Sequence, residues 1–261
     1  MYVYTCAPDW ESMLSCIYTA WASGHGQQNI RLELEPIEDR TFFDTYEHVD
    51  ADYGKAKSVM DAIYSKLSPY VYNELAYSAQ AYEKDVLDNI YRVLILGFAF
   101  GPGVLNMLQY AAVSRNREIR VRVGREACRI KENVRFHEIR KSLYVAHIEP
   151  KSRILLSMAD YFQDRMPSEN WMIVDDVHAE AIIHPKNEDY YIRSLTDSEL
   201  DTLLETEKEN DKFTDLWLTF FNSIAIKERE NLKLQKNHMP LWTRKHVVEF
   251  QNMFTDKITE D

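Results

Sequence analysis

The chain has 261 residues, 45% hydrophobic and 12% aromatic, enough to bury one large core or two modest ones and too apolar for a disordered protein. A formal net charge of −11 opposes binding of polyanions by the molecule as a whole, so any nucleic-acid contact must be local. No apolar run approaches the roughly 20 residues of a bilayer span, and the start lacks a secretory pattern, so a cytoplasmic protein without membrane contact is expected.

Taken in order, MYVYTC alternates and predicts a strand. Asp9 can cap a helix whose stripe is Trp10, Met13, Leu14, Ile17, Tyr18 and Trp21, ended by Gly24 and Gly26. Ile30 to Leu34 and Thr45 to Val49 alternate again, which predicts a small amino-terminal sheet with a helix packed on it. Residues 51 to 135 read as mostly helical. Ser68 followed by Pro69 starts one helix, and Asp85 to Phe100 predicts another that becomes apolar all round near its end, as a helix in the middle of a bundle does. Gly101-Pro102-Gly103 predicts a turn, with helix resuming from Val104 to Tyr110. Leu143 to Ile148, Trp171 to Val174, Ala181 to His184 and Tyr190 to Arg193 predict strands, with a short helix between the first two. Thr196 and Glu199 form a capping box for an acidic helix, and Phe213, Leu216, Trp217, Phe220, Phe221 and Ile224 mark an amphipathic one. The expected class is α+β, predominantly helical, with a small amino-terminal sheet and a second small antiparallel sheet around residues 143–193. The division falls near Gln109 to Ser114, giving regions 1–110 and 111–261, unless both form one domain.

Charge is distributed unevenly. From Arg115 to Lys141 there are ten Lys/Arg and four Glu, a local +6 that leaves −17 elsewhere; seven acids lie between Asp197 and Asp211. Arg115, Arg117, Arg120, Arg122, Arg125, Arg129 and Arg135 are the candidate nucleic-acid ligands. A planar guanidinium bonds phosphate oxygens in pairs, and each contact releases counterions. The competing reading pairs these arginines with the acidic segment as a solvated face.

Other patterns are weaker. Cys6, Cys16 and Cys128, without a CxxC, read as reduced thiols and give no Cys-rich metal or cluster set. Asp175, Asp176, His178 and His184, with His137 and His147 nearby in sequence, can bind a metal or relay protons, but a turn accounts for them, and neither metal nor cofactor is expected. Tyr144, Arg165 and Asp175, with Trp171, are the residues an enzyme acting on a damaged base would use for stacking, phosphate contact and acid–base work. No Walker loop, GxSxG, dinucleotide fingerprint or deaminase pattern occurs.

MYVYTC…SMLSCIYTAWASG, YRVLILGFAFGPGVLNML, VRF…LYVAHIEP…YFQDRMPSENWMIVDD and REN…LQKNHMP together resemble a bacterial family assigned to DNA repair or DNA metabolism. Its members are often encoded beside a radical-SAM protein, and some are fused to a uracil-DNA-glycosylase-like domain. The motif positions carried here are Phe136, Pro150, Trp171, Arg229, Asn231 and Gln235; Met166 stands where the family pattern has Phe. The resemblance implies a DNA-repair context and a radical-SAM partner that would carry the cluster this chain lacks. The expected function is therefore a DNA-repair accessory that binds DNA through the basic helix. The alternatives are an enzyme processing a damaged or modified base, and a protein-binding subunit without DNA contact that docks through the acidic and aromatic helices.

Overall fold

In the computed structural model the described residues are 1–140, 142–207, 216–220, 223 and 231–250. The chain divides into two compact units, Met1–Gly124 and Arg125–Asp261.

The first unit opens with strand β1 (Tyr2–Cys6) and helix α1 (Trp10–Ala22), followed by β2 (Ile30–Leu34) and β3 (Thr45–His48). Both neighbours of β1 run parallel to it, in the order β2-β1-β3. Parallel pairing needs crossovers, and α1 supplies the first. Asp9 caps α1 as its sequence position predicts, accepting the Ser12 N–H at 2.9 Å. Met13, Leu14, Ile17 and Ala20 are buried, while Tyr18 and Trp21 at the edge of the stripe stay partly exposed.

Helices α2 (Tyr53–Lys66), α3 (Pro69–Ser78) and α4 (Val86–Phe100) follow. Ser68 accepts the Val71 N–H at 3.1 Å, with Pro69 opening α3. In α4, Leu87, Ile90 and Leu94 are fully buried, each contributing about 1.5–3 kcal/mol by leaving water. Asp88 of α4 accepts the Leu32 N–H at 3.1 Å, and Arg92 donates to the Ile30 carbonyl at 2.5 Å, so one charged pair fastens α4 to β2. Gly101 has φ +89°, which permits the sharp turn after α4. Beyond it the chain makes only a short 3-10 turn, Val104–Asn106, in place of the expected helix; buried Val104 anchors it. Cys6 and Cys16 are buried free thiols, and Cys16 is pushed upward in pKa by its hydrogen bond with Cys6 and by burial.

Helix α5 (Ala111–Asn133) carries the basic run. Val113, Ile119, Val123, Ala127 and Ile130 form its buried stripe.

The second unit is built on a five-stranded sheet in the order β4-β5-β6-β7-β8: β4 (His137–Arg140), β5 (Leu143–Ile148), β6 (Asn170–Asp175), β7 (Glu180–His184) and β8 (Tyr191–Ser194). The second sheet is thus present where expected, with β4 added at its edge. Three of its pairings are antiparallel; β5 and β6 are parallel, joined through α6 (Leu155–Arg165). This departs from an all-antiparallel sheet because an 11-residue helix between two strands returns the chain in the same direction. On one sheet face Val145, Val174 and Ala181 pack with Leu200 and Leu203 of α7 (Asp197–Glu207). The family-motif aromatics serve the core: fully buried Trp171 stacks on His184 with centroids 4.8 Å apart, and Phe136 meets both Phe162 and Trp171 edge-on.

The expected capping box is formed: Thr196 N–H donates to Glu199 Oε2 at 2.9 Å, and Glu199 N–H to Thr196 Oγ1 at 3.4 Å. Asn231 caps α8 (Leu232–His238) by accepting the Leu234 N–H. Pro150 is buried, and Gln235 is half-buried. Arg229 and most of the expected aromatic helix, apart from 216–220 and 223, lie outside the described residues, as does the end of the acidic segment.

Candidate functional site

The arginines of the basic run have unequal surroundings. In the first unit Arg115 grips Asp85 with two hydrogen bonds of 2.8 Å, Arg120 bonds Glu74 at 2.9 Å while lying over the Tyr77 ring, and Arg122 meets Glu83 at 3.0 Å. In the second unit Arg135 bonds Glu249 at 2.9 Å. Burial pushes the Glu249 carboxyl up, but Arg135 and a backbone hydrogen bond outweigh it and hold the group below its usual range. Asp85 is lowered by Arg115. These four carboxylates come from other segments of the same unit, not from the acidic segment after Asp197. Arg117, Arg125 and Arg129 differ: among the described residues none of them meets a carboxylate. Arg117 and Arg125 are exposed and Arg129 half-buried. Of seven candidate phosphate ligands, three thus have a guanidinium that meets no carboxylate among the described residues.

The residues singled out for base chemistry do not converge. Tyr144 and Trp171 are cross-strand partners at the start of the parallel pair, and Asp175 lies four residues along β6, about 13 Å away at the strand rise. Asp175 is fully buried and anchors the turn into β7: its carboxylate accepts the Val177 and His178 N–H groups at 3.1 Å and meets His178 Nδ1 at 2.6 Å. Arg165 is exposed at the end of α6. His184 is occupied in the core, with Nδ1 3.1 Å from the Glu169 carbonyl.

Its neighbour Asp176 has a different role. The Asp176 N–H donates to the Ile148 carbonyl at 3.0 Å, extending the β5–β6 ladder by one step. His147 is paired with Val174, so period-2 alternation puts His147 and Asp176 on one face and Asp175 on the other. His147 Nδ1 lies 2.9 Å from Asp176 Oδ1, with both side chains nearly inaccessible to water. Glu149 follows β5 directly. The carboxyl-terminal segment adds His246, whose Nε2 is 3.4 Å from Asp176 Oδ2 and 3.8 Å from Glu149 Oε1. The two histidine rings stack at 5.8 Å, and Lys245 lies against Glu149 Oε1. Arg244, buried over the Phe250 ring and bonded to the Met239 carbonyl, fixes the loop that delivers His246. A cavity of about 30 Å³ adjoins the group, lined by Asn133, His147, Glu149, Trp242, Lys245 and His246. The cluster sits beyond the carboxyl ends of adjacent parallel strands, where α/β proteins place their ligands. Of the acid–histidine set weighed in the sequence, only Asp176 and His147 belong to it. Glu149 and His246 are 97 positions apart, and nothing local in the chain links them.

These features describe an α+β protein of two compact units, the second holding a buried acid–histidine cluster at a parallel strand pair. A family model described as a domain of unknown function, DUF4130, matches residues 84–249, from the start of α4 through the segment bearing His246, and the chain belongs to that family. A search of curated proteins found no match. Among the described residues no helix is long and apolar enough to cross a membrane.

Proposed function

We propose that this protein is a DNA-repair accessory that holds the DNA backbone through arginines of α5 and works with a radical-SAM enzyme. The observation that carries the reading is the unequal use of those arginines: Arg125 and Arg129, one turn apart, and Arg117 have no carboxylate among the described residues, within a chain of net charge −11. Guanidinium groups not paired with a carboxylate are available to phosphate oxygens. The resemblance to a DNA-repair family supplies the nature of the polyanion and of the partner. Fluorescence anisotropy with a short labelled duplex at low salt tests it. Replacing Arg117, Arg125 and Arg129 together by alanine weakens binding at least tenfold, whereas Arg115→Ala, whose side chain is held by Asp85, leaves affinity within twofold. Equal affinity of the triple variant and the parent, or no binding by the parent with and without the partner, contradicts the proposal.

A second reading, an enzyme that processes a damaged base, draws support from the buried His147–Asp176 pair, since a carboxylate fixes a histidine for proton transfer. Turnover of a lesion-bearing oligonucleotide that survives His147→Ala removes that reading.

A further inference from the structure

We propose that Glu149, Asp176 and His246 form a binding site for a divalent first-row transition ion of the zinc type, with His147 as the positioning residue behind it. This site is independent of DNA contact by α5. One ligand atom from each residue lies within 4.8 Å of the others. The 3.4 Å and 3.8 Å separations from His246 Nε2 to the two carboxylates are close to the edges of a coordination shell whose bonds are about 2.0–2.2 Å.

A second, independent observation comes from Asp176. Its side chain is 6% exposed. Oδ1 is engaged by His147, while Oδ2, the oxygen facing His246, has no hydrogen-bond partner among the described residues. A buried carboxylate oxygen with no donor is costly, and a cation supplies what is missing. His147 then acts as outer-shell histidine, fixing which Asp176 oxygen faces the ion.

Lys245 marks the same spot as one that already receives positive charge. Its ammonium rests on Glu149 Oε1, and its side chain is 62% exposed, so it can swing into water when an ion takes that oxygen. The donor set is one imidazole and two carboxylates with no sulfur. This suits Zn²⁺ or a neighbouring first-row ion and disfavours Mg²⁺, which prefers an all-oxygen shell with several waters. The adjoining cavity of about 30 Å³ can hold one water as a fourth ligand.

Isothermal titration of the full chain, first treated with EDTA, with ZnCl₂ tests the proposal, and MgCl₂ is the comparison arm. One Zn²⁺ per chain is expected, with Mg²⁺ at least a hundredfold weaker. Glu149→Gln and Asp176→Asn each weaken zinc at least tenfold. His147→Gln weakens it roughly tenfold by loosening Asp176, as outer-shell changes do. Lys245→Met tightens it by removing the competing ammonium. Should Asp176→Asn fail to fold, Glu149→Gln and Lys245→Met carry the test, with circular dichroism confirming their structure. Absence of a stoichiometric zinc isotherm, or one unaltered by both Glu149→Gln and Lys245→Met, overturns the site.

Discussion

Asp175 and Asp176 are adjacent in the chain and face opposite sides of one sheet. Asp175 spends its carboxylate on the two N–H groups and the histidine of its own turn. Asp175→Ala leaves those donors unmet in a buried place and is expected to cost about 2–4 kcal/mol, since hydrogen bonds to charged groups contribute more than neutral ones. Asp175→Asn, which retains one acceptor, costs less. Urea denaturation of the three proteins measures this; an Asp175→Ala midpoint equal to that of the parent contradicts the anchoring role. Both aspartates are visible in the sequence as a pair at the end of a strand. Which one meets His147 depends on register, because a shift of one residue exchanges the faces. Residue types named the chemistry available, and only the β5–β6 ladder decided which carboxylate is placed to use it.

Helix ends and strands with local signals were legible. Asp9, Ser68 and the Thr196/Glu199 box cap where their spacing predicts, because a cap is chemistry between residues three apart. The parallel pairing of β5 and β6 was not, since alternation reveals a strand and not its neighbour's direction. Strand β4 escaped because His137–Arg140 is short and largely polar and follows a helical run. The box also makes a pH prediction. Glu199 is lowered to about 2 by the Thr196 N–H and then by Arg193. Its folded pKa lies below the unfolded value of about 4.3, so its contribution is fully present above that pH and is lost as pH falls through about 2. Glu199→Gln is therefore less stable than the parent at neutral pH, and the gap closes below pH 4. Thermal melts across that window check it; a gap independent of pH contradicts the assignment.

At the scale of the whole molecule the question is how an acidic protein would make the DNA contact proposed for it. The sequence pattern offered seven arginines as phosphate ligands. Folding engages four of them with Asp85, Glu74, Glu83 and Glu249, acids remote in sequence whose positions no helical spacing reveals. Such pairs are individually modest: replacing Arg115, held by exposed Asp85, is expected to change stability by no more than about 1 kcal/mol. Their larger consequence, among the described residues, is to reduce the charge left for phosphate from seven guanidinium groups to three. The fold thereby sets the strength of the proposed DNA contact as well as its location.

Counterion release makes that number measurable. Each neutralised phosphate adds about −0.9 to the slope of log Kobs against log salt for duplex DNA. A salt titration of duplex binding by the full chain is predicted to give a slope of about −3, falling toward zero when Arg117, Arg125 and Arg129 are all replaced by alanine. A slope of about −6, or one that the triple replacement leaves unchanged, would contradict the account.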